Sequence, residues 1–218
     1  MFVQPWDAAL DEAEWQTWIK EGHDFGQLVV NGLPGRPPAV VPTHFTGHGP
    51  DLLVHLARPN PVWAAIEHDP NVVLSVIGDY AFIPGPWRAT PDIPAHDGVP
   101  TSYYAAVQFT CHAEIIDDPQ AKADLLRRQL AHFQPDGDHA PVEVDQPPYG
   151  RLLSGIRGLH LEVTEVLAKF KYDDHKPAEH RAAVADRLTA RARDLDIPTA
   201  RRQQQRLDRI GPWKPTPR

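Results

Sequence analysis

The feature that most constrains this chain is where its prolines fall. There are 24 of them in 218 residues, about twice the usual share. They are spread between apolar segments and form no low-complexity tract. A proline fixes φ and lacks an N–H, so neither a helix interior nor a central strand runs through one. The spacing therefore predicts many strands joined by rigid turns and not a disordered linker. Strands are expected at residues 25–30, 38–45 (broken or at an edge because of Pro42), 51–57, 71–77 and 80–83. Asn31–Gly32 reads as a turn. Residues 102–116 (SYYAAVQFTCHAEII) are aromatic and β-branched and predict one long strand. Leu159, Leu161 and Val163 alternate as another, and residues 169–172 form a last strand or its end.

Helices fit between these runs. Asp11 and Glu14 have capping-box spacing ahead of Trp15, Trp18 and Ile19. Asn60 and Pro61 suit the cap and first position of a short helix. Asp118–Pro119 opens a helix whose buried side carries Leu125, Leu126, Leu130 and Phe133. Residues 149–156 predict a short helix and 177–195 a charged one. Residues 84–100 and 134–148 are Pro-rich loops. No strand–helix–strand unit repeats, which excludes a doubly wound parallel sheet and favours an α+β, mainly antiparallel barrel with peripheral helices. The division expected is a domain over residues 1–176 with inserted helices, then a C-terminal helix and basic, Pro-rich tail over 177–218.

The formal net charge is −7, so nucleic-acid binding would need a local basic patch. The arginines between Arg187 and Arg218 are the one candidate, and they read as a solvated helix with a frayed, Pro-rich end. No helix-turn-helix, P-loop, catalytic triad signature or Gly-rich dinucleotide fingerprint is present. The single cysteine, Cys111, cannot form an internal disulfide and reads as a buried strand residue. No apolar run reaches membrane-spanning length and the N-terminus lacks a signal pattern, which predicts a cytoplasmic protein. His44, His48 and His55 are close in sequence but fit no zinc signature, so no metal is expected.

Several stretches, taken in order, resemble the PaiB-like family of FMN-binding negative transcriptional regulators. They are Met1–Trp6 (MFVQPW), Gly26–Val30, His55-Leu56-Ala57-Arg58-Pro59-Asn60-Pro61 followed by Trp63, Asp79–Ile83 with Trp87, Val99-Pro100-Thr101 followed by Tyr104, Ile116–Pro119, the Gly155–Gly158 turn, and Lys169-Phe170-Lys171. The resemblance covers about residues 1–190. It implies a split β-barrel, a homodimer and an FMN pocket at the subunit interface, with nucleic acid as a partner only by family analogy. Arg58, Thr101, Lys169 and Lys171 would suit the phosphate. Trp87, Tyr103 and Tyr104 would wall the isoalloxazine ring and Asn60 would give a polar contact.

Each of these residues also has a plainer reading. Arg58 can pair with a carboxylate at a strand end, Asn60 can simply cap its helix, Thr101 can start a strand, and Trp87 can pack its loop down. Tyr103 and Tyr104 point to opposite faces, so only one lines a given pocket. The chain departs from the family pattern at Ser102–Tyr103, where the family has Trp-Asn. It departs again at Tyr172-Asp173-Asp174-His175-Lys176, where the family has neutral donors. At a phosphate, Asp173 and Asp174 would repel unless they point away or pair with Lys171 or Lys176. Three functions stay open: a regulatory or sensing flavoprotein, a flavin-dependent oxidoreductase, and a dimeric interaction protein that has lost the cofactor.

Overall fold

The computed structural model describes residues 1–89 and 92–210. The Pro-rich end of the expected tail, residues 211–218, lies outside the described residues. Among those described, the chain forms α1 (Glu12–Lys20), β1 (Phe25–Val30), β2 (Ala39–His44), β3 (Thr46–His48), β4 (Asp51–Ala57), α2 (Val62–His68), β5 (Asn71–Ile83), α3 (Gly85–Arg88), β6 (Thr101–Ile116), α4 (Pro119–Phe133), α5 (Tyr149–Leu152), β7 (Ile156–Lys171), α6 (Ala178–Arg191) and α7 (Asp196–Arg209). The strands form one sheet in the order β2-β1-β5-β6-β7-β4-β3. β1 pairs antiparallel with β2 and β5, and β4 with β3 and β7. The class is α+β and mainly antiparallel, as the pattern of the sequence predicts.

Local signals place the elements. Asp11 accepts from the Glu14 N–H while Glu14 accepts from the Leu10 N–H, a reciprocal cap for α1. Asn60 Oδ1 accepts from the Val62 N–H at the start of α2, and Asp118 from the Ala121 N–H at the start of α4. The two runs expected at 71–77 and 80–83 are one strand, β5, joined through a bulge. Gly78 and Asp79 are both buried, Asp79 has φ of 49°, and the exposed positions shift from Ile77 to Tyr80 and Phe82. The Gly155–Gly158 turn is instead the start of β7. A Cβ on Gly158 would lie 2.8 Å from Leu125 Cδ1 and 3.1 Å from Ile116 Cβ, so a larger residue there would make both side chains shift.

The chain divides into two compact units. The first holds Met1–Trp18, Ile77–Val107 and Leu167–Arg218, and the second Ile19–Val76 and Gln108–Val166. The second unit has a conventional apolar core with Leu28, Val54, Leu74, Phe109, Leu159 and Leu161 all nearly or fully excluded from solvent. Phe45 meets Phe109 edge to face at 6.2 Å. Cys111 is buried in β6, and burial pushes its thiol up to about 12, with Asp51 adding to the shift. The expected apolar face of α4 holds at Leu125, which is buried, and at Leu126 and Leu130, which pack on Ala123, Val142 and Leu153, but it fails at Phe133. Phe133 is exposed and meets the rings of His44 and His132 edge to face, while Lys122 and Gln129 are buried. Lys122 is tolerated there because its ammonium donates to the carbonyls of Leu153 (2.6 Å) and Ile156 (3.3 Å).

The first unit combines an aromatic core with buried charge. Trp18 packs edge-on against Phe170, and Tyr103 against Tyr172. Among these rings Arg206 donates to Asp174 (2.7 Å) and Glu14 (2.5 Å), Arg181 to the other oxygen of Asp174 (2.5 Å), and Arg202 to Asp79 (3.2 Å). This corrects the solvated C-terminal helix: α7 buries Thr199, Ala200, Arg202, Gln203 and Arg206. Arg206 is 1 % exposed. Removing one partner from such a group strands a buried charge, which costs about 3–5 kcal/mol. Arg206→Met is therefore expected to lower stability by roughly that amount in urea unfolding.

His160 of β7 bridges Asp51 (3.0 Å) and Glu114 (3.2 Å) in the second unit. Burial opposes its charge, but the bonds to the two carboxylates outweigh burial and raise its pKa. The folded state thus favours the imidazolium. That stability is present below the unfolded value of about 6.5 and fades as pH rises through the folded value. His160→Gln is expected to lower the unfolding midpoint at about pH 5.5 and to change it little at about pH 8.5.

Candidate functional site

Four of the eight expected site residues meet in the first unit. Lys169 and Lys171 lie two apart on β7 and share one face, while Phe170 and Tyr172 go to the core. Lys171 Nζ donates to Thr101 Oγ1 at 2.7 Å. The half-buried ring of Tyr104 has the Lys169 ammonium 5.6 Å from its centroid and that of Lys171 at 5.9 Å, within cation–π range. Two ammonium groups, a hydroxyl and an aromatic face form a donor set suited to a phosphate beside a planar ring.

Tyr103 takes the opposite face, as alternation requires. It is fully buried and its hydroxyl donates to Asp173 (3.1 Å). Burial first, and then the Asp173 carboxylate, raise its pKa. Trp87 is half-buried under the Arg191 guanidinium, 4.8 Å from its ring centroid, and Arg191 is itself held by Asp196 and the Phe82 carbonyl. Arg58 and Asn60 belong to the second unit. Arg58 donates to the Ser154 carbonyl (2.7 Å) and to Asp117 (3.2 Å), and Asn60 caps α2. Arg157 completes that cluster by pairing with Asp117 and Glu67 and stacking on Trp63.

Asp173 and Asp174 do not face the lysines unpaired. Arg88 reaches both oxygens of Asp173 (2.8 and 3.1 Å), and Arg181 and Arg206 divide Asp174. The partners are arginines, Arg88 and Arg206 remote in sequence and Arg181 seven residues on, not Lys171 or Lys176. The two aspartates therefore add no unpaired charge beside the lysine cluster. One carboxylate that the sequence reading missed does lie at the cluster. Asp7 is buried, 3.9 Å from Lys169 Nζ, and burial pushes its pKa up to about 6 against the lowering effect of Lys169 and Lys171. Among the described residues no group of three His, Cys, Asp or Glu side chains is placed to hold a metal ion. None of the helices described is long and apolar enough to cross a membrane.

Comparison with known proteins gives a consistent picture. A family model described as "Putative FMN-binding domain" matches residues 1–165. No curated protein sequence matches the chain. Among solved structures, the flavocytochrome Anf3 of Azotobacter vinelandii superposes with a TM-score of 0.59 at 21 % identity, over 78 % of this chain and 72 % of that one. The FAD and heme binding protein of Mycobacterium smegmatis also gives 0.59, at 15 % identity over 81 % and 80 %. The conserved hypothetical protein Rv2991 of Mycobacterium tuberculosis gives 0.55, at 15 % identity over 78 % and 90 %. At these identities the likeness is one of fold.

Proposed function

The chain belongs to the family of FMN-binding domains and has their split β-barrel fold with peripheral helices, and from that premise we propose that it binds FMN as a PaiB-like regulatory or sensing flavoprotein. The observation that carries this reading is the joint placement of Thr101, Tyr104, Lys169 and Lys171. Lys169, Lys171 and Thr101 would hold the phosphate, and Tyr104 with Trp87 would offer aromatic surface to the ring. Bound flavin would supply the redox chemistry, while the protein would supply position and charge. The ion pairs of Asp173 and Asp174 remove the main reason to read this as a scaffold that has lost its ligand. The second reading, a flavin-dependent oxidoreductase, draws support from the flavocytochrome with the same fold.

A homodimer goes with this reading. Beyond the bulge, Tyr80 and Phe82 stay on the exposed face with Ile77, and these three large apolar side chains are 49–66 % exposed. Such a row on one strand suits burial against a second copy. Nucleic-acid binding has less support, because Arg202 and Arg206 of the basic helix are engaged with buried carboxylates.

The decisive experiment is the visible spectrum of purified protein after incubation with FMN and gel filtration. A retained flavin band that Lys171→Ala weakens by about tenfold in affinity supports the site. A colourless wild-type protein sinks it. Oxidation of reduced nicotinamide by the FMN-loaded protein would favour the oxidoreductase. For the dimer, Phe82→Glu is expected to halve the mass measured by sedimentation equilibrium, and an unchanged mass would place the interface elsewhere.

A further inference from the structure

The N-terminal segment returns to the lysine pair. Ala8 forms a β-bridge with Lys169, and the Lys169 ammonium donates to the Phe2 carbonyl at 2.9 Å. Asp7 follows Pro5–Trp6 in a single 3₁₀ turn and its N–H bonds the Gln4 carbonyl, which turns the carboxylate inward. There it is 3 % exposed, and its separation from Lys169 of 3.9 Å is too long for a good hydrogen bond. This is a buried carboxylate next to cations with only a loose ion pair to offset its desolvation, a costly arrangement for a merely structural contact.

We propose that Asp7 is a charge gate on the phosphate site: its carboxylate competes with the ligand's phosphate for Lys169, so the site admits a phosphate most readily once Asp7 has taken up a proton. This rests on the reading of Lys169 and Lys171 as the phosphate donors. The balance is simple. The phosphate oxygen gains the ammonium as partner, the loose Asp7–Lys169 pair is lost, and one proton moves from solvent to Asp7. No covalent bond changes.

The groups around Asp7 set the range in which this operates. Lys169 and Lys171 of β7 favour its charged form, whereas burial and the carboxylates of Asp173 and Asp174 oppose it. Arg206 of α7 lies close by, donating to the Ala8 carbonyl while pairing with Asp174 and Glu14, and the His175 ring packs against Trp6. With Asp7 pushed up to about 6, the gate is charged at neutral pH and open below. An arriving phosphate dianion adds like charge and drives the uptake further.

The test is titration of FMN into wild type, Asp7→Asn and Asp7→Ser, followed by flavin fluorescence at about pH 7.5 and about pH 5. Riboflavin, which lacks the phosphate, is the parallel probe. The phosphate titrates near pH 6 itself, but equally for each protein, so the ratio between variants isolates Asp7. Both variants are expected to bind FMN about tenfold tighter than wild type at the higher pH and about equally at the lower, with riboflavin unchanged. Thermal unfolding identifies any variant that misfolds, and the other then decides. Equal FMN affinities at the higher pH, or a gain shared by riboflavin, would overturn the gate while leaving the phosphate site standing. Failure of every protein to bind FMN would overturn the site and the gate together.

Discussion

The first unit depends on a buried exchange of charge between β-strand ends and helices. Four carboxylates, Glu14, Asp79, Asp173 and Asp174, meet four arginines, Arg88, Arg181, Arg202 and Arg206. Each is costly to bury alone, and paired they cancel. Asp173 and Asp174 are adjacent like charges, yet Asp173 adopts φ of 57°, in the left-handed region. That turn gives the two carboxylates separate arginines. Aspartate enters this region more readily than most residues. The same network positions the candidate site, because Tyr103 and Arg88 both bond Asp173, two residues after Lys171.

Much of the strand pattern was legible because β-branched and aromatic runs bounded by proline have few other ways to fold. Residues 25–30 and 51–57 match β1 and β4, and the long aromatic run matches β6 to within a residue. The bulge in β5 was not legible as such. Gly78–Asp79 looked like a break because the bulge resets the alternation. The burial of helix α7 was missed for a different reason: its buried stripe is polar. Thr199, Arg202, Gln203 and Arg206 recur at helical spacing, but a periodicity judged on apolar residues passes over them.

The candidate site was partly legible for similar reasons. Lys169, Lys171, Thr101 and Tyr104 lie together, and the alternation rule separated Tyr103 from Tyr104. Beyond Arg181, seven residues on, nothing local predicted that Asp173 and Asp174 would be paired with arginines 85 and 32 residues away, nor that Asp7 would fold back beside Lys169. Contacts at such separations leave no periodic trace in a single chain. The motif residues Arg58 and Asn60 instead join the second unit, where a carboxylate, backbone carbonyls and a helix cap engage them.

The contact between Arg206 and Glu14 closes a span of 192 residues. During synthesis on the ribosome, Glu14, Asp79 and Asp174 all emerge before Arg202 and Arg206 do. Until α7 clears the exit tunnel Glu14 and Asp79 lack their arginine partners and Asp174 has only Arg181, so burying them would be unfavourable. The second unit, whose core is complete by Val166, has no such requirement. Closure of the first unit thereby waits until α7 has been made, although β7 itself already has β4 and β6 as neighbours in the sheet.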